Sequence, residues 1–250
     1  MQFILAATPA EAPEAAKYCR TLAHVAYRIG PDSTLLRQNS LRGRSGFLSV
    51  SDREAPHIEH PEALCAAVMR ECGRRGFSGA VLDFEEAPRQ DRLAFVRLLE
   101  NHMQKEHRRI FLPESYAAAA QKSSVLICTA LSGGNITQRL RDARTAGCTA
   151  LDVQRLRMDF SLPASSGEGT PLSGEELQKL ISQEQPAVFF SPDLCARYFT
   201  YARDGRVHFV LFDDAETLNR KVRIGASLGF STALFMWPEV KDIVDSLTLK

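Results

Sequence analysis

Apolar residues in this chain fall into short runs, separated by stretches with helical spacing. Residues 3–6, 24–29, 46–50 and 80–84 read as the first four strands. Residues 110–112 and 124–130 both have strand character, and one of them is assigned as the fifth. Residues 150–156, 187–191 and 233–237 complete a count of eight. Helical patterns lie between them, over 12–22, 61–75, 91–106, 136–146, a segment ending near Glu184, and 214–228. Their ends carry the expected chemistry. Pro61 suits a first turn and Gly76 a left-handed stop, Ser173 and Glu176 form a capping box, and Gly147 and Gly229 end helices. Residues 161–174 read as a Ser/Gly/Pro loop, and 197–212 as a hairpin turning at Asp204-Gly205.

Strands alternating with helices imply parallel pairing with helical crossovers. About eight such units in 250 residues predict an α/β chain folded as a single (β/α)8 TIM barrel over residues 1–250, with no linker or internal repeat.

Composition narrows the function. A net charge of +1 supplies no electrostatic footprint for nucleic acid, and no apolar run is long enough to span a membrane. The six cysteines include no C-x-x-C pair and mostly sit in apolar runs such as Val125-Leu126-Ile127-Cys128, so they read as small buried hydrophobes. No metal or cofactor is expected. The amino terminus lacks a basic n-region, which leads to the expectation of a reducing, cytoplasmic compartment.

The informative stretch is Gly76-Phe77-Ser78-Gly79-Ala80-Val81-Leu82-Asp83-Phe84-Glu85-Glu86. Alternation puts Val81, Asp83 and Glu85 on one face and Leu82 and Phe84 on the other. Two carboxylates thus end an apolar strand, facing the same way, where barrel active sites are built. Such a pair in a partly desolvated cleft cannot ionise freely, so one member can keep a proton for donation to a glycosidic oxygen. Solvated loop acids, or partners of barrel arginines, would share this pattern.

This stretch resembles the family 18 glycoside hydrolase signature D-G-x-D-x-D-x-E, in particular its sporulation- and peptidoglycan-associated branch. The likeness continues through Pro88, Asp91-Arg92, Phe95 and Leu98. A second block, Tyr201, Gly205, His208 to Ala215, Leu218, Lys221, Gly229-Phe230 and Phe235-Met236-Trp237, is similar to the family's end region. The resemblance implies a retaining, substrate-assisted hydrolase of β-linked N-acetylhexosamine glycans, chitin-like or peptidoglycan. In it Glu85 is the general acid/base, Asp83 orients the substrate's N-acetyl group, and Trp237 floors the sugar site. Tyr27 is a further candidate for substrate contact.

Two departures matter. Ser78 and Val81 stand where the signature has acids. The family's sixth-strand M-x-Y-D is approached only by residues 156–160, which lack a Tyr, leaving Asp152, Gln154 or Asp159 to replace it. The alternative reading is a non-catalytic carbohydrate-binding barrel. Gly225-Ala226-Ser227-Leu228-Gly229 fits G-x-S-x-G, but helix precedes it and strand follows, the reverse of a nucleophile elbow.

Overall fold

The computed structural model describes residues 1–55, 57–119, 121–163 and 169–249. Its strands are β1 (Gln2–Ala7), β2 (Leu22–Ile29), β3 (Leu35–Arg37), β4 (Phe47–Ser51), β5 (Gly79–Asp83), β6 (Arg109–Pro113), β7 (Ser124–Cys128) and β8 (Ala150–Asp152). They continue with β9 (Arg157–Leu162), β10 (Thr170–Pro171), β11 (Phe189–Ser191), β12 (Ala196–Arg203), β13 (Arg206–Phe212) and β14 (Thr232–Met236). The helices are α1 (Ala12–Ala15), α2 (Pro61–Arg75), α3 (Gln90–Lys105), α4 (Ile136–Thr145), α5 (Gly174–Glu184), α6 (Ala215–Ser227) and α7 (Trp237–Val240).

Parallel pairing runs in the order β1–β14–β8–β7–β6–β5–β4–β2, and β2 returns to β1, so eight strands close a barrel. Its interior follows from strand alternation. Ile4, Ala6, Ala23, Phe47, Val81, Phe111, Leu126, Ala150 and Leu234 point inward and pack together. Phe47 and Phe111 meet edge-on at 5.2 Å and close the barrel beneath the cavity described below. Outward residues pack against the helices: Leu82 meets Phe95 and Leu99 of α3 in one cluster, and Leu151 meets Leu218 of α6 in another. Gly79 shows how tightly strands approach. Its φ is +154°, and a Cβ there would fall 1.7 Å from the Arg109 carbonyl oxygen.

The elements differ from the sequence expectation in several places. Residues 109–113 and 124–128 are both barrel strands, the fifth and sixth, which makes β8 the seventh. Residues 189–191, expected in the barrel, instead form the edge of a separate five-stranded antiparallel sheet, β10–β9–β13–β12–β11, inserted between β8 and α6. Only Ala12–Ala15 of the expected helix at 12–22 is helical, because Leu22 already pairs with Leu5 in the barrel. The 197–212 hairpin forms in register, with Arg203 opposite Arg206 at the turn. Of the expected 161–174 loop, residues 164–168 lie outside the described part of the chain.

The inserted sheet buries Phe199, Tyr201, Val210 and Phe212 against Leu177 and Leu180 of α5. Ser173 caps that helix with the predicted reciprocal bonds to Glu176. The sheet joins the barrel through a buried ion pair. Lys221 Nζ lies 2.7 Å from Asp213, both side chains fully buried, and Asp213 also accepts from Leu156 N and Thr217 Oγ1. The G-x-S-x-G match has a packing explanation, since a Cβ at Gly225 would fall 2.5 Å from Leu151. Among the described residues, no helix is long and apolar enough to cross a membrane.

Candidate active site

All eight barrel strands contribute to a cavity of about 650 Å³ at their C-terminal ends. Ala6, Val25, Ser49, Val81, Leu126, Leu234 and Met236 give it apolar or small walls. Its polar rim is Arg53, Asp83, Glu85, Glu114, Asp152 and Gln154. A mostly apolar pocket with a few converging carboxylates is the arrangement expected of a ligand site.

Asp83 ends β5 and opens onto this cavity. Desolvation by the surrounding barrel pushes its carboxyl above the ordinary range, and the charge of Glu85 raises it further, partly offset by Arg53. Asp152, on the seventh barrel strand, is pushed up to about 6. Burial is the main cause; the charges of Glu239 and Asp83 add to it, and a 2.7 Å hydrogen bond from Gln154 Nε2 opposes it. Both aspartates thus bind their protons more tightly than ordinary carboxyls, for the same first reason, burial in one cleft.

Glu85 is held in two ways. Its backbone N–H donates to Asp52 Oδ1 at 2.9 Å. The other oxygen of Asp52 accepts from Arg92 Nε at 2.8 Å, and Arg92 Nη2 donates to the Ala55 carbonyl at 2.6 Å. Asp52 and Arg92 are both fully buried. Asp91, beside Arg92, accepts from Ile58 N at 2.8 Å, and Tyr116 donates to the Glu86 carbonyl at 2.9 Å. The Asp91-Arg92 part of the sequence signature thus braces the turn that presents Glu85. The side chain of Glu85 is forked onto Arg53, with Nε to Oε2 at 3.1 Å and Nη2 to Oε1 at 2.7 Å. That pair is open to water, with side-chain exposures of 72% and 51%, so solvent screening leaves it little weight in stability.

Gln154 joins Asp83 and Glu85 at the cavity. The other three candidate contacts are elsewhere. Trp237 does not floor the site: it is 1% exposed and packs outside the strands, 5.6 Å from the Tyr18 ring. Strand alternation explains this, since Leu234 and Met236 face inward and Ala233, Phe235 and Trp237 face outward. Tyr27 also turns outward, past an irregularity in pairing between Val25 and Tyr27, and donates to Glu71 of α2 at 2.9 Å. Asp159 lies in the inserted sheet, accepting from Tyr201 at 2.6 Å and bonded to His208 Nδ1 at 3.0 Å. Asp52, Arg53 and Asp152 carry much of the site's electrostatics. The signal for Asp52 and Arg53 was their position directly after a barrel strand, Phe47–Ser51. The true sixth strand reaches the cavity through Cys128, followed by Thr129 and Ala130, and offers no Tyr.

No family model matches the chain, and no curated protein matches its sequence. Solved structures do match in fold. A chitinase from Chromobacterium violaceum ATCC 12472 superposes with a TM-score of 0.74 at 15% identity, covering 100% of this chain and 98% of that one. The spore cortex-lytic enzyme SleL of Bacillus cereus gives 0.70 at 16% identity, covering 100% of this chain and 75% of SleL. A GH18 chitinase from Cycas revoluta, solved in complex with (GlcNAc)4, gives 0.65 at 13% identity, with coverages of 98% and 97%. The chain has the (β/α)8 fold of GH18 chitinases and of sporulation-associated glycosidases.

Proposed function

We propose that this protein is a glycoside hydrolase of family 18 type that cleaves β-linked N-acetylhexosamine glycans with retention. The observation that carries this reading is the placement of Asp83 and Glu85 together in the cavity at the mouth of the fourth barrel strand. Glu85 sits at the rim, where a protonated carboxyl can donate to a glycosidic oxygen entering from solvent. Asp83, two residues earlier at the end of the strand, has a raised affinity for a proton that suits it to hold and orient an acetamido group as that group's oxygen attacks the anomeric carbon. Asp152 and Gln154, hydrogen-bonded to each other and lining the same cavity, are the groups placed to bind the acetamide in place of a sixth-strand Tyr. The chitinase complexed with (GlcNAc)4 supports a glycan as ligand.

The deciding experiment is hydrolysis of N-acetylglucosamine oligomers and peptidoglycan fragments by wild type and Glu85→Gln. Product release that disappears in the variant supports the reading. A folded wild type that binds these glycans without cleaving them overturns it in favour of a carbohydrate-binding barrel. That second reading is favoured by the Arg53 fork on Glu85 and by Val81 in place of an acid.

A further inference from the structure

The Arg53–Glu85 pair poses a chemical question that the rest of the site does not answer. An acid must carry a proton before it can give one, and a protonated carboxyl loses the charge and part of the acceptor capacity on which the guanidinium fork depends. Arg53 must therefore move before Glu85 can act. Two observations indicate what moves it.

The first is that Arg53 forms a wall of two cavities. One is the central cavity; the other is a neighbouring groove of about 660 Å³, which also shares Val25 and Ser51 with it. The groove lies along β2 and β3, with exposed amides at Gln38 and Asn39 and an apolar surface at Leu36. A glycan held by its N-acetylhexosamine in the central cavity and continuing into the groove passes directly over Arg53.

The second is charge. The groove lining carries three arginines, Arg28, Arg37 and Arg53, against one carboxylate, Glu54. Arg28 is paired with Glu54, and Arg37 with Glu71 of α2. Arg53 differs in that its partner is the candidate acid itself. The pair is solvent-exposed and screened, so it exchanges readily, unlike the buried Asp52–Arg92 pair behind it. A guanidinium fork donates to any carboxylate in the same bidentate geometry.

We propose that Arg53 makes the candidate acid answer to the charge of the substrate: a carboxylate-bearing sugar in the groove draws the guanidinium off Glu85 and frees it for proton transfer. This rests on the reading of Glu85 as the acid. The exchange itself moves no electrons. Once released, Glu85 takes a proton from solvent and passes it to the glycosidic oxygen as the C–O bond breaks. It then recovers a proton from the water that completes hydrolysis. Removal of Arg53 also lifts a positive charge that lowers Asp83's proton affinity. Arg53 is thus a positioning residue, and the substrate class is an acidic glycan with a carboxylate on the sugar adjoining an N-acetylhexosamine.

The test compares a tetrasaccharide of alternating N-acetylglucosamine and N-acetylmuramic acid with chitotetraose, which lacks the carboxylates. Wild type, Arg53→Gln and Arg53→Lys are checked for folding by circular dichroism, then assayed for hydrolysis and for binding by calorimetry. Wild type is expected to favour the acidic glycan about tenfold in kcat/KM. Arg53→Gln should abolish that preference, weakening acidic-glycan binding about tenfold more than chitotetraose binding, while Arg53→Lys restores part of it. Equal loss on both glycans, or no preference in wild type, overturns the proposal. Binding keeps the two readings apart: Glu85→Gln leaves Arg53 without its resting partner and should bind the acidic glycan more tightly than wild type does. If no variant cleaves either glycan, that tightening still supports recognition by Arg53, and its absence overturns it.

Discussion

Asp52 accepts the backbone N–H of Glu85 at 2.9 Å with one carboxylate oxygen while its other oxygen is held by Arg92. The candidate acid is thus positioned through its main chain by a buried ion pair, leaving its side chain at the rim to change partners. Main-chain anchoring of this kind fixes where a carboxyl starts without using up its oxygens.

Arg92→Met should separate stability from positioning. The single variant leaves Asp52 fully buried without its cation, a loss of about 3–5 kcal/mol in urea unfolding. Adding Asp52→Leu removes the stranded charge and should recover most of that stability. Glycan hydrolysis should stay low, because the second substitution also removes the acceptor of the Glu85 N–H. Recovery of both would show that the pair serves stability alone.

The cavity acids make stability depend on pH in an unusual direction. Asp152 has an ordinary value of 3.8 and is pushed up to about 6 in the folded protein. The folded state therefore binds this proton more tightly than the unfolded state does. The resulting stabilisation is fully present below about pH 4 and is lost as pH rises through about 6. Two pH units correspond to at most about 3 kcal/mol for this group. Asp152→Asn should accordingly be more stable than wild type at pH 8, by about 1–3 kcal/mol, and nearly equal to it at pH 4. Thermal unfolding across that range measures the difference; a constant offset at all pH values would contradict the assignment.

Lys221→Met tests how the inserted sheet is tied to the barrel. Without the Lys221 ammonium, Asp213 keeps its bonds to Leu156 N and Thr217 Oγ1 but loses its only ion-pair partner among the described residues. Denaturation should show a loss of about 3–5 kcal/mol at pH 8. That deficit should shrink toward pH 5, because a buried carboxyl without a cation takes up a proton. A deficit independent of pH would mean the lost methylene packing, not the charge, dominates.

The barrel was legible because its first four strands alternate cleanly and are bounded by Gly and Pro; Gly76 and Pro61 are where the pattern predicts them. The second half was harder for a physical reason. Residues 187–191 have the composition of a buried strand, and nothing local distinguishes a barrel strand from the edge of an inserted sheet, since partner choice is a long-range property. That miscount moved the sixth strand, and with it the search for a replacement Tyr, to residues 156–160. Of the site, the Asp83/Glu85 pair was readable from period-two alternation. Applied to the last strand, the same alternation points Met236 inward and Trp237 outward. Asp152 entered only as one of three replacements for the missing Tyr, and Asp52 carried no motif, marked only by its position after a strand.

Trp237 supplies the sharpest test of that placement. If it floored the sugar site, Trp237→Phe would weaken glycan binding severely while barely altering the fold. The structure predicts a different division. The indole is buried outside the barrel against Tyr18 and the helix it begins, α7. Truncation to Ala should cost about 3–5 kcal/mol of stability through cavity formation. Replacement by Phe keeps an aromatic ring on Tyr18 and should cost less than the truncation. In calorimetry with N-acetylglucosamine oligomers, Trp237→Phe should retain wild-type affinity within about twofold. Met236→Ala should weaken binding by more, because its side chain lines the cavity. The opposite ranking, with Trp237→Phe crippling affinity and Met236→Ala leaving it unchanged, would mean that the last strand turns its other face to the sugar.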